Sequence, residues 1–162
     1  FRQLFKWESN ILDERNEILC NEIADCPSSV AVHVRRGDLK GEVFAYGKPA
    51  TLNYFQKAIH FLNDKLQNPF FYFFSDEPDW VAKELVCDLP LSDNYSVVDI
   101  NGSDKGYMDL YLISHCKHQI TSKGTLGKYG ALLDDNIGKY VILCDDVTEY
   151  SWRKLLQNPV YL

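Results

Sequence analysis

The chain has 162 residues, with 17 lysines and arginines against 23 aspartates and glutamates, which gives a formal net charge of −6. With 46% hydrophobic and 14% aromatic residues, this is the composition of one globular domain with a sizeable core, and it excludes a disordered or fibrous chain. The acidic balance excludes a general attraction for nucleic acid, so an anionic ligand needs a local cluster of cations. No stretch approaches the roughly 20 apolar residues that cross a bilayer.

The cysteines and the candidate metal ligands exclude further classes of site. The five cysteines are odd in number and scattered without a C-x-x-C pair, so they indicate neither a zinc site nor a disulfide framework. We expect reduced, mostly buried thiols at Cys20, Cys26, Cys87, Cys116 and Cys144. The chain has no D-x-D sequence and no His, Cys and carboxylate group with metal-ligand spacing, so no metal or other cofactor is expected.

The first predicted elements are a helix and a buried strand. Apolar residues spaced among polar ones predict an amphipathic helix from about Phe5 to Ile23, which ends at a Cys-Pro pair. In the strand predicted from Ser29 to Arg35, three valines fall on one face, whereas His33 and Arg35 fall on the other. A glycine-rich loop, residues 36–50, follows.

The rest of the chain alternates helical and strand-like patterns without a linker or an internal repeat. The predicted elements are a helix capped by Thr51, an aromatic strand from Phe70 to Ser75, a helix starting at Asp76-Glu77-Pro78, a strand from Tyr95 to Ile100, a largely buried helix from Tyr107 to Cys116 capped by Ser103 or Asp104, a strand from Gln119 to Ser122, a helix after the turn Lys123-Gly124-Thr125, and a strand from Tyr140 to Leu143. These repeated units predict a single-domain α/β fold, a Rossmann-like and mostly parallel sheet with helices on both faces.

The densest chemical signal is the run His33-Val34-Arg35-Arg36-Gly37-Asp38. It places cations at the carboxyl end of a buried strand, which is where open α/β sheets bind ligands. A guanidinium binds a phosphate through two parallel N–H groups, so Arg35 and Arg36 predict a diphosphate ligand. The alternative is an ion pair at the end of the sheet, in which one of these arginines binds Asp38 or another carboxylate.

A second, weaker signal is the run from Gln119 to Gly130, a strand followed by a turn of small residues and a helix start. Free N–H groups and a hydroxyl at such a turn bind phosphate, but the spacing matches neither G-x-G-x-x-G nor a Walker A loop. The alternative is a tight turn with close packing between helix and sheet at Gly124, Gly127 and Gly130.

The third signal is a group of carboxylates in the run from Phe74 to Trp80, directly after a predicted strand. A carboxylate here accepts the N–H edge of a guanine base in one interpretation. In the other, Asp76 and Glu77 cap the following helix and complement its dipole.

Taken in order, the three signals resemble the α-1,2-fucosyltransferases of glycosyltransferase family 11. That family has a strand ending in H-x-R-R-x-D, here His33 to Asp38, and then F-S-D-(D/E), here Phe74 to Glu77. Its third block, a C-x-H stretch leading through a Ser/Thr-rich turn to W-G-A-W-L, is similar to Cys116 through Leu133. The first block is shared with α-1,6- and protein O-fucosyltransferases, so it indicates GDP-fucose chemistry more strongly than linkage.

The resemblance implies a glycosyltransferase of GT-B type. Residues 1–162 would be its GDP-fucose-binding half, and an acceptor-side domain would precede them. The implied reaction is an inverting transfer of L-fucose from GDP-fucose to the 2-hydroxyl of a galactose-containing glycan, with at most peripheral membrane association in a cytoplasmic enzyme. By itself the chain would bind GDP or GDP-fucose and transfer fucose poorly.

The resemblance also assigns residue roles. Arg35, and in second place Arg36, would be catalytic, because a guanidinium stabilises the charge on the leaving diphosphate. The implied donor-binding residues are His33, Arg35, Asp38, Asp76, Glu77, Gly124 and Thr125.

The chain departs from the family at one place and leaves alternatives open. Where the family reads Ser-Phe-Ser-Trp-Trp, this chain reads Thr125-Leu126-Gly127-Lys128-Tyr129, in which Lys128 would supply a different contact to an anion. The alternatives are a fucosyltransferase of another linkage and a non-catalytic sugar-nucleotide-binding α/β domain.

Overall fold

A six-stranded parallel sheet forms the centre of the protein. The structure is a computed structural model that describes residues 5–41 and 48–162; residues 42–47 of the glycine-rich loop lie outside the described ranges. The strands run in the order β3-β2-β1-β4-β5-β6, every neighbouring pair is parallel, and their bounds are Ser29–Val34 (β1), Phe70–Ser75 (β2), Tyr95–Val98 (β3), His118–Thr121 (β4), Val141–Leu143 (β5) and Val160–Tyr161 (β6). The order reverses between β1 and β4, as in a Rossmann sheet, which confirms the predicted fold class.

Helices connect these strands. The longer ones are Glu14–Asp25 (α1), Leu52–Lys65 (α2), Gly106–His115 (α3) and Leu126–Leu133 (α4). After β2 a short helical segment starts at Pro78–Trp80, continues as a π-helix over Val81–Leu85 and ends in a 3₁₀ turn at Val86–Asp88. Further 3₁₀ turns are Asp38–Lys40, Ser103–Lys105 and Tyr150–Lys154.

The alternation of side chains along the strands supplies both faces of the sheet with apolar residues. In β2, Phe71 and Phe73 pack with α2 and the segment after Pro78, whereas Tyr72 and Phe74 pack with α1 and α3. In β1 the three valines lie on the first face and Ala31 on the second, as predicted. Helices therefore cover both faces, which is why the strands read as continuous apolar runs.

The first helix is shorter than predicted. It starts at Glu14 rather than near Phe5, because the Asp13 carboxylate caps it by accepting the N–H of Asn16 at 3.1 Å. The preceding segment runs outside the helix, and its Trp7 ring packs edge-on against Tyr111 of α3, with 4.9 Å between ring centroids. The apolar periodicity of this segment thus reflects packing against α3 rather than a helical stripe.

Other differences from the predicted elements are small. Thr51 caps α2 as predicted, its hydroxyl accepting the N–H of Tyr54, whereas neither Ser103 nor Asp104 caps α3 with its side chain. Strand β6 has no counterpart in the sequence prediction, since two residues are too short to show an alternation. All five cysteines are free thiols; two are buried, two are half-buried, and Cys87 is exposed. In the described parts of the chain, no helix is long and apolar enough to cross a membrane.

Asp109 of α3 gives the fold a testable dependence on pH. Burial raises the pKa of its carboxyl from 3.8 to about 6, although the amide of Asn101 donates to it at 2.8 Å. Because the folded state favours the protonated form, the stabilisation is complete below about pH 4 and is lost as the pH rises through 6. Asp109→Asn is therefore expected to be more stable than the parental chain by up to about 3 kcal/mol at pH 7 and by only about 0.6 kcal/mol at pH 4. Urea unfolding at both pH values checks this, with exposed Asp99→Asn as the control; equal stability at pH 7 would contradict it.

Candidate functional site

The carboxyl ends of β1, β2 and β4 meet where the strand order reverses. Val34 pairs with Ser75 of β2, and His33 pairs with Thr121 of β4. The residues that follow these three strand ends are the ones that the sequence singled out as chemical signals. The topology therefore brings all three signals to one edge of the sheet, at the usual binding position of this fold.

Two serines fix the end of β1 between its neighbours. The Ser122 hydroxyl accepts the N–H of Arg35 at 2.8 Å, and the N–H of Ser122 donates to the carbonyl of His33 at 3.1 Å. On the other side, the Ser75 hydroxyl donates to the carbonyl of Val34 at 2.8 Å. The sequence analysis missed both roles, although each serine stands at a strand end, which is the available signal.

Asp76 binds the backbone of the arginine loop. Its two carboxylate oxygens accept the N–H groups of Arg36, at 3.1 Å, and of Gly37, at 2.8 Å. The carboxylate thus holds the loop after β1 rather than capping the helical segment after β2. Its role in binding guanine stays a prediction.

Arg35 is held in a fixed orientation at this edge. Its Nε and Nη2 donate to the two oxygens of Asp38, each at 2.9 Å, and its Nη1 lies 3.6 Å from Asp76 Oδ2. The hydrogen bonds from Arg35 lower the pKa of the Asp38 carboxyl. The ion pair that the sequence analysis left open is therefore formed: Asp38 binds the Nε edge of the guanidinium, and Asp76 lies beside Nη1.

Arg36 points away from Arg35. Its Nε donates to Glu77 at 3.1 Å, and its guanidinium lies 3.5 Å from the centroid of the Trp80 ring. Lys40 also binds Glu77, and the hydrogen bonds from Lys40 and Arg36 lower the pKa of that carboxyl. Arg36 and Trp80 line a separate cavity of about 650 Å³. Arg36 and Glu77 therefore lie on a different side of the loop from Arg35. The roles predicted for them stay predictions.

A cavity of about 400 Å³ opens beside Arg35. Its lining combines the first and second sequence signals: His33, Arg35, Asp38, Leu39, Gly124, Thr125 and Leu126. Its volume lies within the range of small-ligand pockets. Of the seven predicted donor-binding residues, five line this cavity, and Asp76 and Glu77 support the loop behind it.

His33 contributes a neutral imidazole to the cavity wall. The ring is buried, and its Nδ1 has no hydrogen-bond partner in the described part of the chain. Burial, together with the positive charges of Lys128 and Arg35, lowers the pKa of His33 to about 3. At neutral pH the ring is therefore uncharged, and this Nδ1 is buried beside Gly127.

The turn after β4 presents free backbone N–H groups to the same cavity. Gly124 has a φ of +85°, a left-handed conformation that glycine adopts without strain. Across residues 5–41 and 48–162, the N–H groups of Gly124, Thr125 and Leu126 donate no hydrogen bond, and the Thr125 side chain does not cap α4. Such a turn at the start of a helix suits an anion, while the glycines that follow pack closely, as the alternative interpretation expected.

Lys128 corrects a sequence-based expectation. The residue is 2% exposed and forms an ion pair with Glu149 at 2.6 Å. Its Nζ also donates to the carbonyls of Ser122, at 3.1 Å, and Gly124, at 2.6 Å. The interpretation of Lys128 as a direct contact to an anion is therefore wrong in this geometry, since its three N–H groups face protein acceptors.

Comparisons with known proteins agree with the motifs. The chain is 29% identical over 116 residues to the α-1,2-colitosyltransferase of Escherichia coli, covering 70% of this chain and 39% of that protein. It is 28% identical over 133 residues to the O-antigen biosynthesis glycosyltransferase WbnK of Escherichia coli, covering 76% of this chain and 43% of that protein. The chain thus spans about 40% of the length of these relatives.

A solved structure was also similar to this chain. It is the NodZ α-1,6-fucosyltransferase soaked with GDP-fucose, with a TM-score of 0.48 and 20% identity over 79% of this chain and 43% of NodZ. Finally, the model of the family described as "Glycosyl transferase family 11" matches residues 8–154, which is nearly the whole chain. The resemblance expected from the three motifs is confirmed: the chain belongs to glycosyl transferase family 11.

Proposed function

We propose that this chain is the GDP-fucose-binding half of a GT-B-type enzyme that transfers L-fucose to the 2-hydroxyl of a galactose-containing glycan. The observation that carries the proposal is the arrangement around the 400 Å³ cavity. There Arg35, held by Asp38, faces the free N–H groups of the turn at Gly124 and Thr125. Family membership supports glycosyl transfer, and the motif His33 to Asp38 supports a fucose donor.

The diphosphate of the donor fits between these two walls. Asp38 takes one N–H each from Nε and Nη2 of Arg35. Asp76 lies 3.6 Å from Nη1 without a hydrogen bond to it, so in the proposal the phosphate oxygens take the remaining N–H groups of Nη1 and Nη2. Opposite, the turn amides supply uncharged donors at the start of α4. In this arrangement Asp38 orients Arg35, and the neutral ring of His33 contacts the nucleotide.

The reaction places charge where Arg35 lies. The oxygen of the acceptor hydroxyl forms a bond to the anomeric carbon of fucose from the face opposite GDP. The bond between that carbon and the phosphate oxygen breaks, GDP leaves with the electron pair, and the hydroxyl proton passes to a base. Because the diphosphate gains negative charge as this bond breaks, a preorganised guanidinium stabilises the transition state more than the ground state.

The linkage and the acceptor are proposed from the similarity of the chain to its relatives rather than from the cavity. The relative named for α-1,2-colitosyl transfer favours an α-1,2 linkage, and it makes a nucleotide-activated colitose the second candidate donor. Titration with GDP by calorimetry, beside a transfer assay from GDP-fucose to lactose-type acceptors, tests the proposal. The assay uses this chain and a version extended at its N-terminus, since the acceptor-side domain is part of the proposal. GDP binding with no transfer by either version would favour a non-catalytic binding domain, and no GDP binding would contradict the proposal.

We also propose that donor binding needs no divalent metal. Arg35 supplies the positive charge, and within the described ranges no group of three or more His, Cys, Asp or Glu side chains is placed to hold an ion. GDP affinity after exhaustive EDTA treatment is therefore expected to equal the affinity measured with added Mg²⁺. A loss of affinity that Mg²⁺ or Mn²⁺ restores would contradict this expectation.

A further inference from the structure

A network of buried charges lies directly behind the turn that follows β4. Lys128, from the first turn of α4, pairs with Glu149, and Lys123 pairs with Asp146 at 3.0 Å and lies 3.7 Å from Glu149. The side chains of Lys128, Glu149 and Lys123 are 2%, 6% and 6% exposed. Burying such charges is costly unless each one is paired. Apolar residues of similar size would stabilise the fold equally well, so stability alone does not explain the buried charges.

Lys128 does more than balance Glu149. Its ammonium group has three N–H donors, and its partners are Glu149 and the carbonyls of Ser122 and Gly124. In a trans peptide the carbonyl and the following N–H point in opposite directions. By binding these two carbonyls, Lys128 turns the N–H groups of Lys123 and Thr125 away from itself, and Thr125 lines the cavity.

We propose that Lys128 is a positioning residue, which acts through the carbonyls of Ser122 and Gly124 to aim the turn amides at the diphosphate of the nucleotide. The inference rests on the proposed function, because it names what sets the geometry of that donor site. Glu149 keeps the ammonium charged in the interior: burial lowers the pKa of Lys128, and the carboxylate opposes this shift. The segment after β5 thereby takes part in nucleotide binding without touching the ligand.

The chain contains a matched control at the other end of α4. Lys139 is also largely buried, donates to the carbonyls of Ala131 and Asp134, and lies 3.5 Å from a carboxylate oxygen of Asp134. It has the same chemistry as Lys128, but these partners do not line the cavity. A loss of GDP affinity through general destabilisation would appear in Lys139→Met as well.

The test compares nucleotide affinities by calorimetry in three variants. Lys128→Met, and K128M combined with Glu149→Gln so that no carboxylate is left unpaired, are expected to bind GDP about tenfold more weakly, roughly the loss of one charge-assisted hydrogen bond. Their affinity for guanosine, which has no diphosphate, is expected to be unchanged. Lys139→Met is expected to lower the melting temperature and keep the parental GDP affinity.

The outcomes separate this inference from the proposed function. Parental GDP affinity in a folded K128M/E149Q variant would overturn the role of Lys128 and leave the donor site standing. A parental chain that does not bind GDP would overturn the proposed function and this inference together. A second measurement needs no variant: in the parental chain GDP is expected to shift the ¹⁵N resonance of the Lys128 ammonium and not that of Lys139. An unmoved Lys128 resonance would overturn the inference.

Discussion

Arg35→Lys is expected to lower fucose transfer by about 10²–10³-fold while leaving the fold intact. The magnitude is that of losing one oriented donor at a developing negative charge. Lysine keeps the charge but lacks the planar fork, so it cannot bind Asp38 through two N–H groups and still present a second edge to a diphosphate. The arginine side chain is 39% exposed, so the change leaves no buried charge without a partner. The measurement is kcat/KM for GDP-fucose with the N-terminally extended version used in the transfer assay, beside circular dichroism of each variant.

Two other arginines serve as controls for this substitution. Arg153→Lys changes an exposed arginine and is expected to have no effect on transfer. Arg36→Lys removes a guanidinium that stacks on Trp80 and binds Glu77. We expect a smaller loss of transfer than with Arg35→Lys, caused by a shift of the loop after β1. Near-parental turnover by Arg35→Lys would contradict the assignment of Arg35 to the leaving diphosphate.

Gly127→Ala is expected to damage both stability and the cavity. A Cβ at this position would lie 2.8 Å from His33 Cβ, closer than a Cβ normally approaches another atom, and 3.1 Å from His33 Nδ1, which is also a tight contact. Either the ring or the start of α4 must move, and overpacking of this kind costs roughly 1–3 kcal/mol. Because His33 lines the cavity, GDP affinity should fall as well.

Gly106→Ala is the matched control for this change. Gly106 starts α3 with an ordinary helical φ of −56°, and a Cβ there would meet no atom within 4 Å. Alanine at such a site is expected to stabilise the chain by roughly 0.4–1 kcal/mol, because it lowers the conformational entropy of the unfolded chain. Urea unfolding and GDP calorimetry measure both variants; a Gly127→Ala variant with parental stability and affinity would show that α4 does not pack on His33.

The periodicity of the sequence was enough to predict most of the sheet. The aromatic run from Phe70 to Ser75 and the valines of β1 read as buried strands because both faces of the sheet are covered by helices. The prediction of the N-terminal helix was wrong over residues 5–13, because the helix starts at Glu14. Apolar spacing does not distinguish a helical face from an irregular segment packed on α3, and the cap at Asp13 was overlooked.

The sequence predicted most residues that line the cavity, but it did not predict the buried residues that hold the turn in place. The alternation of side chains separated Arg35 from Arg36, and the strand ends brought Arg35 to Gly124 and Thr125. The burial of Lys128 was not predictable, since lysine is seldom buried unless paired. Its partner Glu149 lies beyond β5, and no local pattern reveals a contact between segments so far apart along the chain.

We propose that a nucleoside diphosphate binds at the carboxyl ends of β1 and β4, between Arg35 and the turn at Gly124. Titration of the ¹⁵N-labelled chain with GDP, followed residue by residue in amide and arginine Nε spectra, tests it most directly. We expect saturable shifts centred on Gly124, Thr125, Leu126 and the Nε of Arg35. Shifts centred instead on the cavity beside Trp7 and Tyr111, or no saturable shifts at all, would contradict the account.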